Sequence, residues 1–515
     1  MLFFAWAFTV NAQIIYVNGA HIVCNPGSHW VLNEGDFTLF APQADLPASF
    51  SHCRIGPNAS LTVAPTSFLT INGTLTNMSG VDGLVLQSGS DGTASLIHNS
   101  PNVEATVERY LTGNPLLQSK HYHQVCFPLN APLIAADFLG AYMWEWSHAQ
   151  QEFVSIGSST ETIVSNNSGY FIFYPENAVT YDFAGQLNNG IIMLPLATQI
   201  NDFSLVPNPY PSAVDWDATD GWTRTNLEGS YWIWSPAANN YAVYNGFVGS
   251  LGATEFIPSG QAFFVKNAAG SAVLELNNNA RTHSFQDYFK NSRNEMDYLS
   301  IGVEVNGYRD EMLVLFHENA EIIKDSFDSN KLFGSSKSPQ LFSISPDGAE
   351  LSINCIPKPE KATMIPVSYS LDSNVEVRFE FSMYGSFDQK VRTILEDVLR
   401  NEMIDLSLNN SYTFQHNKDN HSNRFVLHFE PVTDITESNR NAFKYWSEGG
   451  KVFLSIPDMI GVQANIQMFD VAGNLLLAED HVLSDPAIIQ AKNRGIVIIK
   501  VADKESIRVA KLFIQ

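Results

Sequence analysis

KVFLSIPDMIGVQANIQMFDVAGNLLLAEDHVLSDPAIIQAKNRGIVIIKVADKESIRVAKLFIQ stands at residues 451–515. Short apolar runs, Val452-Leu454-Ile456, Ala464-Ile466-Met468, Ile496-Ile498 and Val509-Leu512-Ile514, are separated by the turn signals Ala472-Gly473-Asn474 and Asn493-Arg494-Gly495. Successive side chains of a strand point to opposite faces. Period-two runs broken by turns therefore predict a small antiparallel, immunoglobulin-like β-sandwich.

Working back from this end, residues 285–432 read as another β-sandwich. Leu299-Ile301-Val303-Val305, Leu351-Ile353-Cys355, Val375-Val377-Phe379-Phe381 and Phe425-Leu427-Phe429 alternate as half-buried strands do. Residues 430–444 are polar and unpatterned, which makes them the best linker candidate. Residues 109–281 carry an internal duplication. Tyr142-Met143-Trp144-Glu145-Trp146-Ser147 recurs as Ser230-Tyr231-Trp232-Ile233-Trp234-Ser235, and Ser168-Gly169-Tyr170-Phe171-Ile172-Phe173 recurs as Ser259-Gly260-Gln261-Ala262-Phe263-Phe264-Val265. The offsets, 88 from Trp146 to Trp234 and 91 from Gly169 to Gly260, agree within a loop's tolerance and predict two copies of one β-rich unit. Residues 14–108 repeat short apolar strands between Gly, Asn, Pro and Ser, the pattern of a short β-solenoid whose rungs each need a neighbour to bury their face. A flat sandwich is the rival reading there. The whole is expected to be all-β.

The segment Phe469-Asp470-Val471-Ala472-Gly473, followed by Gly495-Ile496-Val497-Ile498-Ile499-Lys500-Val501 and a chain end that is itself a strand, resembles the C-terminal sorting domain of the type IX secretion system. In that family an aromatic and a D-x-x-G turn precede a G-x-Y-x-x-K-V strand, and Val497 stands here where the aromatic is usual. Asp470, Gly473, Gly495, Lys500 and Val501 carry the match over residues 445–515. The resemblance implies export across the outer membrane of a Gram-negative cell, with the secretion machinery as partner, removal of the domain, and release or surface attachment. Two further segments are similar to parts of large proteins exported by the same route. One is Asn208-Pro209-Tyr210-Pro211-Ser212 with Asp215-Trp216, where prolines rigidify a turn that Asn208 can cap. The other is the set Lys331–Gly334, Ser343–Gly348, Ile394–Asp397 and Arg424–Phe429, similar to the module that precedes the sorting domain.

Composition bounds the function. With 45% apolar residues and 34 Phe, 18 Tyr and 9 Trp, large cores can be buried. The net charge of −24 repels phosphate backbones and anionic lipid, which argues against a nucleic-acid partner. From residue 443 onward eight basic residues balance eight acidic ones, so the excess lies upstream. Residues 1–12, MLFFAWAFTVNA, read as a signal peptide cleaved after Ala12, without the usual basic start. No later run approaches the roughly 20 apolar residues that span a bilayer.

The search for chemistry finds no P-loop, dinucleotide fingerprint, HExxH, GxSxG or EF-hand loop. Cys24 and Cys53 are a candidate disulfide, while Cys126 and Cys355 read as buried thiols. Asp215, Asp217 and Asp220, and Lys324 to Asn330 with Asp325 and Asp328, read as solvated turns rather than calcium sites. His121 and His123 share a strand face but lack a third metal ligand, and Glu145, Glu152 and Glu161 are acids with no fixed separation. Trp144 with Trp146, and Trp232 with Trp234, point the same way at i and i+2, and each pair either stacks on sugar or fills a core. The expectation is a non-enzymatic secreted or cell-surface protein, structural or adhesive, with no cofactor. A carbohydrate-binding protein with a surface glycan as partner is the first alternative, and a polysaccharide-degrading enzyme the second.

Overall fold

Parallel pairing of the N-terminal strands builds the solenoid. In the computed structural model His29–Phe40 lies beside His52–Val63 in parallel, with Phe37 opposite Leu61 and Leu39 opposite Val63. The next rung sets Leu61 against Leu84 and Val63 against Leu86. A second face stacks Ala48–Phe50, Phe68–Ile71 and Ser95–His98, also in parallel. Leu39, Leu61, Val63, Leu69, Leu84, Leu86 and Leu96 point inward and are buried. A rung cannot bury these side chains alone, so each covers its neighbour. The strand Glu104–Thr112 adds in parallel to Leu84–Leu86 and then pairs along its full length with the antiparallel strand Ala178–Gln186. The solenoid sheet is thus continued by two strands that reach into the first duplicated copy.

The structure describes residues 13–16, 29–41, 47–113, 122–157, 162–284, 297–385, 387, 391–418, 424–431, 444–448, 450–456, 459–470, 474–491, 495–503 and 507–514. The proposed signal peptide, Cys24, His121, Glu161, Gly473 and most of the linker candidate lie outside them. The described elements are strands and short 3₁₀ turns, so the protein is all-β.

The duplication is visible in topology. One sheet has the strand order Tyr122–Val125, Tyr170–Phe173, Tyr142–Ser147, Glu152–Ser155, and the second has Phe203–Pro207, Ala262–Lys266, Tyr231–Ser235, Asn240–Tyr244. Each order is first, fourth, second, third strand of its copy. Register refines the equivalence: Trp144 pairs with Phe171 and Trp232 with Phe264, so within the echoed segment Phe264 takes the place of Phe171.

The sandwich is one long sheet folded over a core of Leu299, Ile301, Phe379, Phe414, Phe425, Leu427 and Phe429. The runs at 299–305, 375–381 and 425–429 are buried on the inner side as their period requires, whereas Ile353 and Cys355 pack outward against Trp232 and Trp234. These parts belong to one compact unit, Met1–Pro431, and the rest of the chain, Val432–Gln515, forms another. Within the second unit a three-stranded sheet, Lys444–Glu448, Lys451–Ser455 and Ala487–Gln490, and a four-stranded sheet, Leu475–Val482, Gln463–Asp470, Gly495–Ala502 and Ile507–Ile514, enclose Val452, Leu454, Ile466, Met468, Ile489, Val497, Ile499 and Val501.

Candidate functional site

The tryptophan pairs resolve by burial. Trp232 is 0% and Trp234 7% exposed, so neither offers a ring face to a sugar. Trp234 meets Phe171 edge-on at 5.2 Å, and Trp146 meets Phe264 at 4.9 Å, which joins the two copies through an aromatic seam. Their indole nitrogens differ in use: Trp146 Nε1 donates to the Phe203 carbonyl at 2.9 Å and Trp232 Nε1 to the Asn330 carbonyl at 2.9 Å. Trp144 and Trp146 are half-buried. Trp144 leans on Tyr122 at 5.7 Å, and Tyr142, 58% exposed, stacks near Phe173 at 6.2 Å.

Other candidate residues take structural places. Asp217 accepts from Tyr244 Oη at 2.5 Å, and Asp215 caps Asp217 N at 2.9 Å. Asp325 accepts from the Phe327 and Glu321 amides, and Asp328 from the Cys355 amide at 2.7 Å, so these carboxylates close turns. Burial pushes the Asp328 carboxyl up to about 7. No group of three or more His, Cys, Asp or Glu among the described residues is arranged to hold a metal. His123 Nε2 lies 2.9 Å from the Thr112 carbonyl oxygen. Glu145 and Glu152 are exposed. Cys53, Cys126 and Cys355 are buried thiols, and burial pushes the first two up to about 12.

In the loop around Pro209, Asn208 is wholly buried. Its Nδ2 donates to the carbonyls of Ser212, Ile257 and Pro258, and its Oδ1 accepts from the Tyr210 amide. In the second unit Asp470 holds its hairpin. Its two carboxylate oxygens accept from Asn474 N and Asn474 Nδ2, each at 2.8 Å. Val497 is 1% exposed inside the core, so valine fills apolar space at the position where the resembled family carries an aromatic. Lys500 pairs in register with Gln467 and Val509, and Val501 is buried beside Ile466. Gly495 begins the strand.

A cleft that the sequence did not flag lies within the first unit. It has a volume of about 400 Å³ and is lined by the Ser235–Ala238 turn, the loop at Leu251 and Gly252, and strands of the sandwich. Gly302 forms its floor, with Glu311 opposite on one neighbouring strand and Glu380 opposite on the other. Glu311 accepts from Ser300 Oγ and from the Leu251 amide at 2.5 Å, so its carboxyl anchors a loop whose Leu251 has φ +49°. Burial pushes the Glu311 carboxyl upward, and those two hydrogen bonds pull the other way. Asp310 faces away, paired with Lys331 at 2.5 Å. At the rim Arg309 Nε meets Glu304 at 2.6 Å. Gly302, Glu311 and Glu380 belong to three strands, and pairing of 298–305 with 375–384 is set by tertiary contact. Alternation in the sequence places each on the polar face but carries no partner.

A family model described as "Domain of unknown function (DUF8693)" matches residues 41–429. The match covers most of the first compact unit and ends before it does, at residue 429 against Pro431. None of the curated proteins compared matches the chain.

Proposed function

The chain belongs to the DUF8693 domain family, whose description assigns no activity, and from that premise we propose that it is a non-enzymatic protein exported by the type IX secretion system. Its first unit is the cargo, structural or adhesive at the cell surface or in the medium. Its second unit is the export address.

The observation that carries the reading is the independence of residues 432–515. They have their own two sheets and their own core, and they lie outside the family match, as a detachable module would. The motif residues have physical work in that module: Asp470 closes a hairpin, and Val497 and Val501 fill the core. The net charge of −24 supports an extracellular life in which the cargo stays soluble.

No helix among the described residues is long and apolar enough to cross a membrane. Cleavage near Ala12 would free the chain into the periplasm before export. The test is fractionation of cells with and without the secretion machinery, using an antibody to the first unit. Accumulation in the periplasm only without the machinery supports the reading, and an identical distribution in both removes it.

Carbohydrate binding is the second reading, and one observation favours it. The aromatic surface of the first copy continues from the buried seam to the half-buried Trp144 and the exposed Tyr142. The second copy presents no such end, because Trp232 and Trp234 are core residues.

A further inference from the structure

Gly302 sits inside a strand, where glycine weakens pairing and packing. Two ordinary reasons for a glycine are missing at this position. Its φ is not in the left-handed region, and a Cβ built on it meets nothing within 4 Å. What the missing side chain leaves is open floor between Glu311 and Glu380. With neighbouring strands about 4.8 Å apart, the Cα atoms of those two residues stand about 10 Å from each other across it.

The lining is mixed. Glu380 and Glu304 offer carboxylate acceptors, Arg309 offers guanidinium donors, and Ala237 and Ala238 offer small apolar contacts. The existing partners at the rim are exposed pairs, Arg309 with Glu304 at 2.6 Å and Arg378 with Glu380 at 3.7 Å, of the kind that exchanges readily with solvent. Glu311 is a positioning residue, because both of its oxygens are taken by Ser300 and Leu251.

Several ligand classes fail against this lining. An anion meets three carboxylates. A calcium ion needs six to eight oxygens, and no group of three or more His, Cys, Asp or Glu among the described residues is arranged to hold a metal. A large apolar ligand finds no aromatic wall among the lining residues. A neutral polyol fits, since vicinal hydroxyls both donate and accept and can bridge a carboxylate and a guanidinium across apolar C–H contacts. A cavity of about 400 Å³ lies within the range of small-molecule sites.

We infer that this cleft binds a small neutral sugar, one or two rings of a glycan, with Glu380 and Arg309 holding its hydroxyls over the floor that Gly302 leaves open. The inference rests on the adhesive reading of the cargo and supplies what it adheres to. It does not rest on the export route.

The test uses the purified full chain and saturation-transfer NMR with glucose, galactose, N-acetylglucosamine and their β-linked dimers, followed by titration calorimetry on any that respond. At least one is expected to bind. Gly302→Val, which fills the floor with a residue strands favour, is expected to abolish the signal. Glu380→Gln, a change at an exposed side chain, is expected to weaken binding about ten-fold, the size of losing one charged hydrogen bond. Urea unfolding should match the wild type in both variants. Absence of binding to every sugar overturns the inference, as does undiminished binding by Gly302→Val or by Glu380→Gln. Binding of spermidine with no sugar response overturns it in favour of a cationic ligand. Failure of any of these leaves the cell fractionation result untouched, so the two readings are separable.

Discussion

Two buried imidazoles make the first unit sensitive to acid in a way that can be worked out in advance. His98 is 0% exposed, and the Ser100 backbone beside its ring only partly offsets the cost of charging it there. His283 bridges Thr70 Oγ1 at 2.9 Å and Ser95 Oγ at 2.8 Å. Arg281 lies against both, donating to the His98 carbonyl at 2.5 Å and to Asn99 Oδ1 at 2.6 Å. Burial, with Arg281 beside it, pushes each imidazole down to about 4 from its ordinary value near 6.5. The unfolded chain therefore binds more protons, and the stability these neutral rings contribute is complete above pH 6.5 and lost as pH falls toward 4. At pH 5 the loss is about 2 kcal/mol for each ring. Asp328 works in the opposite sense. Its folded value near 7 stabilises the fold as pH falls, so the wild-type profile alone shows only the difference of two opposing trends. The assay is urea unfolding at pH 7.5 and pH 5, followed by tryptophan fluorescence, for the wild type and for His98→Leu with His283→Asn. On going to pH 5 the double variant should lose about 3 to 4 kcal/mol less than the wild type. An equal loss in both proteins refutes the reasoning.

Three further outcomes follow from the packing. Asn208→Ala leaves three carbonyls and the Tyr210 amide without their partner in a wholly buried loop, and should destabilise the first unit by about 3 kcal/mol in urea unfolding. Lys331→Met strands the Asp310 carboxylate, whose pair is 1% exposed on both sides, and should cost about 3 to 5 kcal/mol, while Lys331→Met with Asp310→Asn, which keeps an acceptor beside the Glu311 and Leu341 amides without the charge, should recover part of it in a double-mutant cycle. Trp232→Ala opens a cavity at a fully buried indole and should lower stability by about 3 to 5 kcal/mol, whereas Tyr142→Ala at an exposed ring should change it by under about 0.5 kcal/mol, as measured by urea midpoint.

The sequence was most legible where one strand face alone decides the outcome. Leu299, Ile301, Val303 and Val305 are all buried, as period two requires, because alternation is a local property of the chain. The duplication was legible for the same reason: two aromatic pairs at i and i+2 must share a face wherever they fold. What those faces meet is not local. The same pattern that leaves Trp144 half-buried buries Trp232 completely, because in the second copy residues near Asn330, almost a hundred positions away, cover the indole. The parallel rungs of the solenoid were legible as spacing but not as register. The strand Glu104–Thr112 also runs across the boundary that composition placed at residue 108. The cleft stayed hidden since its acids are ordinary surface glutamates until residues 375–384 pair with 298–305. Gly302, a glycine inside an alternating run, is the signal in the sequence that points to the place once the pairing is known.

If the last 84 residues, 432–515, act as an export address, the first unit cannot leave the cell without them. The most direct measurement is the fraction of protein reaching the medium or the outer surface for the full chain and for a chain ending at Pro431, expressed in the same cells with the secretion machinery intact. Export of the full chain and periplasmic retention of the shortened one, folded and resistant to protease, is the predicted result. Equal export of both would contradict the account.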